Sequence, residues 1–198
     1  GKGKAAQAMP GVCNIFTESG WDVTVHQTAS TGDAQRIANQ RGSEFDLVVC
    51  SGGDGTYHEM LNGILPLENK PLLGYIPAGT TNDFAYSIGL PKDPLQCARA
   101  IMDGEAFACD VGSFNGKIFS YTAAFGIFTN VTYETPQELK NTFGKMAYVM
   151  EGIKQLQKIP YHRLVVRSGE WVFEGEFLIG MVSNSLSVAG MRGIAGKR

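Results

Sequence analysis

The stretch that most restricts this chain is Phe45-Asp46-Leu47-Val48-Val49-Cys50, an almost unbroken apolar run that ends in Ser51-Gly52-Gly53-Asp54-Gly55-Thr56. A short run apolar on both faces suits a central strand covered on both sides, and parallel strands need helical crossovers. The flanking residues supply them. Asp33 to Arg41 reads as a short helix stopped at Gly42, and Thr56 to about Ile64 as a second one halted by Pro66. Leu72 to Ile76 makes the next strand, and Trp21 to His26 reads as an earlier one after the turn at Ser19-Gly20. Ala5, Ala8, Met9, Val12, Ile15 and Phe16 recur at helical spacing, with Pro10-Gly11 expected to kink or restart that helix. The β-α-β-α-β order predicts a parallel sheet with helices on both faces.

From about Phe107 the texture changes. Strand-like segments at 117–128, 163–167, 171–173 and 177–182 are joined by turns at Asn115-Gly116 and Ser168-Gly169. Asn-Gly tolerates positive φ at both central turn positions, so the first of these predicts a hairpin. Leu139, Phe143, Met146, Met150, Ile153 and Leu156 form a helical stripe between Pro136 and Pro160. The fold class read here is α/β, with a parallel-sheet domain over 1–106 and a mainly antiparallel β domain over 107–198.

The chemistry concentrates where the buried strand turns into a helix. A helix start leaves backbone N–H groups without partners and carries the positive end of the dipole, so it welcomes an anion. Glycines at Gly52, Gly53 and Gly55 let the backbone approach phosphate oxygens with no Cβ between them. Thr56 can cap the helix or donate its hydroxyl, and Asp54 can hold a cation or order the loop. The plainer reading is a tight turn without a ligand. The pattern is neither G-x-x-x-x-G-K-[ST] nor G-x-G-x-x-G. A second loop, Ala78-Gly79-Thr80-Thr81-Asn82-Asp83-Phe84, follows the next strand. Consecutive parallel strands end at one sheet edge, so both loops can face one ligand. Taken alone, Asn82 and Asp83 read equally well as caps of a short helix.

Gly52-Gly53-Asp54-Gly55-Thr56 with Glu59, Asn62 and Gly63, followed by Pro77-x-Gly79-Thr80-x-Asn82-Asp83-Phe84-Ala85, resembles the bacterial diacylglycerol kinase and related lipid kinase family. The resemblance extends to Thr28 with Gly32-Asp33-Ala34, to Asp110-Val111-Gly112, and to Val131-Thr132-Tyr133-Glu134-Thr135-Pro136. It implies a nucleotide-binding α/β domain followed by a β-sandwich, with ATP in the cleft. By family pattern the nucleotide contacts fall on Thr28, on Gly52, Gly53, Asp54, Gly55, Thr56, Tyr57 and His58, and on Gly79, Thr80 and Asn82. Asp54, Asp83 and Asp110 are implied as an acidic, water-bridged network around Mg²⁺, a hard ion that keeps several waters; Asp110 reads equally well as a hydrogen-bonding carboxylate at a strand end. Glu59 and Asn62 are expected to brace the loop from behind. His58, where the family often has Asn, is read as a neutral neighbour of the loop. The family pattern starts with a strand and an Asn-Pro-x-x-Gly loop, of which Gly1-Lys2-Gly3 resembles the tail, so Lys2 is expected to contact phosphate. Its acidic general base lies in an Asp-Gly segment expected beyond Arg198. The chain is thus expected to be incomplete at both ends, with its catalytic base unknown.

The implied reaction is transfer of the ATP γ-phosphate to the hydroxyl of diacylglycerol or a similar lipid, giving phosphatidic acid. Alternatives are a sphingoid-base kinase, an NAD kinase, or a catalytically inactive nucleotide-binding regulator. Phe125, Phe128, Met146 and Met150 could border an acyl pocket, although an ordinary core explains them too. A formal net charge of -2 argues against a nucleic-acid partner. Cys13, Cys50, Cys97 and Cys109 include no C-x-x-C pair and read as free thiols in a reducing compartment. No apolar run approaches the roughly 20 residues that span a bilayer, and the start lacks a signal core. The expected location is therefore cytoplasmic and peripheral to the membrane, where the lipid substrate lies. The oligomeric state is left open, a homodimer included.

Overall fold

A computed structural model describes residues 2–126, 161–184, 187–188 and 191–192. The helical stripe at 139–156, the segment 131–136, and Phe128, Met146 and Met150 lie outside the described residues. Two compact units emerge, one made of Gly1–Thr122 with Ser183–Arg198 and the other of Ala123–Val182.

In the first unit, helix α1 (Lys2–Glu18) runs through Pro10 without a break. Helix α2 (Asp33–Arg41) passes through a short 3-10 turn at Gly42–Glu44 into strand β1 (Leu47–Gly52). Then come helix α3 (Asp54–Ile64), strand β2 (Leu72–Pro77), the five-residue helix α4 (Asp83–Ser87) and helix α5 (Pro94–Asp103). Strands β1 and β2 pair in parallel, with Leu47 opposite Leu72 and Gly52 opposite Pro77. Alternation along β1 sorts its side chains between two cores. Val48 and Cys50 join Tyr57, Met60, Leu61, Ile64 and Tyr75 on the α2–α3 side. Leu47 and Val49 join Val12, Ile15, Phe16, Cys97 and Ala98 on the α1–α5 side. The predicted parallel sheet with helices on both faces is therefore present.

Two glycines allow the α2–α3 side to close. A Cβ at Gly63 would fall 2.7 Å from that of Ala38, and one at Gly42 would fall 2.8 Å from a Leu67 methyl. Gly42 is thus a glycine for want of space rather than as a left-handed stop, since its own backbone is right-handed. Helix α5 starts where Asp93 accepts the amides of Leu95 and Gln96 at 3.1 and 2.9 Å, with Pro94 in its first turn. The expected strand at Trp21–His26 is a correction. Residues 21–30 are exposed and carry no strand, because the described residues give this extended segment no ladder to join.

The hairpin of β3 (Gly112–Phe114) and β4 (Lys117–Phe119) turns at Asn115 and Gly116, both with positive φ, as the Asn-Gly pair predicts. The predicted strand over 117–128 is broken at Ser120–Tyr121 and resumes as β5 (Thr122–Gly126). In the second unit β6 (His162–Ser168) and β7 (Trp171–Phe177) form an antiparallel hairpin, and β8 (Ile179–Ser183) pairs with β5. Two short strands, β9 (Ser187–Val188) and β10 (Met191–Arg192), pair in the first unit. Among the described residues no helix is long and apolar enough to cross a membrane.

Candidate functional site

Both glycine loops leave the same edge of the β1–β2 pair. The last rung is Gly52 opposite Pro77, and the Ala78 amide then donates to the Gly52 carbonyl at 2.7 Å. Beyond it the two backbones touch. A Cβ at Gly53 would sit 3.2 Å from the Gly79 Cα, and one at Gly79 would sit 2.5 Å from the Gly53 Cα. Neither loop could approach the other with a larger residue at these points. Gly52 answers a different neighbour, because Thr56 leans back over it and a Cβ there would fall 2.8 Å from the Thr56 Cβ. Gly55 has no such constraint: a Cβ there would meet nothing within 4 Å.

Helix α3 begins at Asp54 without a side-chain cap from Gly53. Helix geometry leaves the amides of its first turn without intrahelical acceptors, and Tyr57 is the first to be served, by the Gly53 carbonyl at 3.1 Å. The Asp54 carboxylate reaches across to the second loop, accepting the Asp83 amide at 3.1 Å and the Phe84 amide at 3.3 Å. Burial raises the Asp54 carboxyl above the usual value, against the pull of those two amides. Asp83 is itself 3 % exposed.

Asn82 stands at the α4 start in left-handed conformation, φ 55°. Its carboxamide accepts the Gly79 amide and donates to the Gly79 carbonyl, both at 2.9 Å. Asn82 thus shapes the loop by bonding its own turn. Behind both loops Tyr57 stacks on Tyr75 and on Phe84, with centroids 4.5 and 4.8 Å apart. The Tyr57 ring belongs to this core. His58 is half-buried, and burial first, then Lys117, push its imidazole down.

Asn62 accepts the Ile118 amide at 2.9 Å and donates to the Ile118 carbonyl at 2.8 Å, tying α3 to β4, and it also donates to the His58 carbonyl one turn back at 2.9 Å. Thr28 and Thr80 are exposed, and Lys2 stands at the first turn of α1. Asp54 and Asp83 come together, whereas Asp110 lies in an exposed coil with its carbonyl accepting from the Asn184 carboxamide at 2.7 Å. Among the described residues no three His, Cys, Asp or Glu side chains gather as a ready metal cage. No disulfide joins the cysteines among the described residues; burial lifts the Cys50 thiol to about 12 and the Cys97 thiol to about 11, while Cys109 is exposed. Asn184, 74 residues from its partner Asp110, had no local spacing to announce it.

The family model described as the diacylglycerol kinase catalytic domain matches residues 1–114. A Bacillus subtilis protein named diacylglycerol kinase is 37% identical over 186 residues, which are 93% of this chain and 61% of that protein. A Staphylococcus epidermidis protein of the same name is 35% identical over 191 residues, 96% of this chain and 60% of that protein. A candidate diacylglycerol kinase from Bacillus anthracis str. Sterne superposes with a TM-score of 0.81 at 28% identity, covering 97% of this chain and 64% of that one. The chain thus spans about three fifths of the length of the curated relatives it matches. With both glycine loops, the parallel strands that carry them and the matched residues 1–114 in agreement, the chain belongs to the diacylglycerol kinase catalytic-domain family.

Proposed function

We propose that this chain carries the phosphate-donor side of an ATP-dependent lipid kinase. The γ-phosphate passes to the hydroxyl of diacylglycerol or a similar lipid at the membrane surface, and phosphatidic acid is the product. The observation that carries this reading is the backbone contact between Gly53 and Gly79, with Asp54 fastening the second loop to the first. The contact makes one continuous surface of amides and small residues at the sheet edge where ligands of parallel sheets bind. Gly55 adds to the case, since neither packing nor a positive φ explains a glycine there, whereas close approach of a phosphate does.

In this reading the first-turn amides of α3 and the Thr56 hydroxyl hold phosphate oxygens, and Thr28, Thr80 and Lys2 contact the nucleotide from the rim. Tyr57 and Asn82 support the site from behind, through the aromatic stack and the Gly79 turn. His58, its imidazole pushed down by burial, lines α3 behind the loop. The donor chemistry of the acidic residues suits Mg²⁺. Asp54 offers hard oxygens that keep lone pairs after accepting two amides, and Mg²⁺ commonly keeps several waters beside a few carboxylates and phosphates. Asp54, Asp83 and Asp110 are proposed to hold it through water. When bound, Mg²⁺ neutralises charge developing on the transferred phosphoryl group. The chain's own task is positioning, which converts an encounter into an aligned displacement. A domain boundary at 106/107, a β-sandwich over 107–198, and a cytoplasmic, membrane-peripheral location belong to the same proposal. The change from helix to strands after α5 supports a boundary there, whereas the compact units divide at Thr122 and Ser183 and keep β3 and β4 in the first.

The test is transfer of label from γ-labelled ATP to diacylglycerol, sphingosine and NAD offered in parallel. Label in phosphatidic acid is expected, and Gly53→Val should abolish both transfer and ATP binding. Label appearing only in NAD, or only in the sphingoid product, would overturn the reading.

A further inference from the structure

Tyr75 carries the one polar side chain of β2, whose other residues are leucine, glycine, isoleucine and proline. A phenylalanine would fill the same space, so the hydroxyl is what needs a reason, and a buried hydroxyl needs a partner. The side chain is 4 % exposed. Its ring is gripped by the aromatic layer, stacked on Tyr57 at 4.5 Å and tilted against Phe84 at 6.4 Å between centroids, which fixes where the hydroxyl ends. There it donates to the Asn82 Oδ1 at 3.4 Å, long for an O–H···O bond. Burial first, then the nearby Asp54 carboxylate, push the hydroxyl well above its ordinary value, so it keeps its proton and stays a donor.

Asn82 needs such a hold. Its left-handed backbone, φ 55°, is uncommon for a residue other than glycine. Its carboxamide oxygen takes the Gly79 amide at 2.9 Å and the Tyr75 hydroxyl, filling both lone pairs, and its nitrogen gives to the Gly79 carbonyl at 2.9 Å. The two Gly79 bonds belong to the turn and would move with it. Among the described residues the bond to Tyr75 is the one that ties this carboxamide to the sheet. The turn has little room to shift, because a Cβ at Gly79 would already fall 2.5 Å from the Gly53 Cα.

We propose that Tyr75 is a positioning residue: acting through the Asn82 carboxamide, its hydroxyl fixes the Gly79 turn against Gly53 and so sets where Thr80 meets the nucleotide. The inference rests on the reading of the two glycine loops as the phosphate-donor site. A neutral hydrogen bond corresponds to a factor of about 2–10 in an equilibrium constant, and the length of this one places it toward the lower figure.

The experiment measures ATP affinity of the full-length protein by fluorescence titration, beside hydrogen exchange of the Gly79 amide read by NMR. Tyr75→Phe keeps the ring and its stack and removes only the hydroxyl. It should weaken ATP binding by about threefold and quicken Gly79 exchange by a similar factor. Asn82→Gly accepts the left-handed backbone freely and so removes the carboxamide without adding strain; it should weaken ATP binding by more. The double variant should be no worse than Asn82→Gly, because the hydroxyl acts through that carboxamide. Ile64→Val thins the same core at the far end of α3, and should lower the melting temperature while ATP affinity stays at the wild-type value. Wild-type ATP affinity in Tyr75→Phe, a further loss in the double variant, or an equal loss in Ile64→Val would overturn the positioning role alone. Failure of the wild-type protein to bind ATP would overturn the positioning role and the nucleotide reading together.

Discussion

Gly55 and Gly79 are glycines for opposite reasons. Gly79 is crowded, with the Gly53 Cα 2.5 Å and the Asn82 Oδ1 2.8 Å from where a Cβ would lie. Gly55 stands in open space on the first turn of α3. Alanine at Gly79 should therefore separate the loops, lowering both the melting temperature and ATP affinity. Alanine at Gly55 should raise stability by roughly 0.5–1 kcal/mol, through its better helix propensity and a less free unfolded chain, yet weaken ATP binding. Melting curves and ATP titrations on the two variants check this, and undiminished affinity in Gly55→Ala would remove the phosphate cradle from the account. At this scale the glycine loops were legible because all their residues are local. Tyr57 was read as a nucleotide contact, but its ring is core. Its spacing with Met60, Leu61 and Ile64, at i+3, i+4 and i+7, carried that signal. Asn184 was not legible, since nothing in sequence links it to Asp110.

Between elements, the α2–α3 contact depends on Gly63. A Cβ there would press on the Gln35 carbonyl and the Ala38 side chain, so Gly63→Ala should cost about 1–3 kcal/mol by overpacking, read as a drop in the urea midpoint. The start of α2 depends on Asp33, which accepts the amides of Ala29 and Ser30 at 2.9 and 3.0 Å and pairs with Arg36. These partners, the Ala29 amide foremost, lower its carboxyl from 3.8 to about 2. A depressed carboxyl stabilises the fold above the unfolded value, and that contribution disappears as pH falls through the folded one. The urea midpoint of Asp33→Asn should therefore trail wild type above pH 3.8 and converge with it as pH approaches about 2. The elements themselves were unevenly legible. The Asn115-Gly116 hairpin could be read because two residues decide a turn. The strand at Trp21–His26 could not be settled, because alternation predicts a strand and only a partner makes one. Helix α5 was overlooked although Asp93-Pro94 is a clear start signal.

Taken whole, the molecule offers a ligand two loops on one sheet edge, so binding should stabilise the native state by mass action. ATP with Mg²⁺ at 100 times its Kd should add ~2.7 kcal/mol to unfolding, and the shift should be absent in Gly53→Val. Thermal melts at graded ATP concentration check it. The parallel order and the two-sided core followed from hydrophobic runs and glycine stops. The tie on the Asp110 main chain did not, because it is made by Asn184, 74 residues away. One further consequence belongs to Asp54. Helix α4 has five residues, too few to sustain a helix by its own cooperativity, and its leading amides end on a carboxylate that belongs to α3. In dynamic terms α4 is a graft on its longer neighbour. The second loop should open and close at the frequency of the first, and a ligand that stills one will still both.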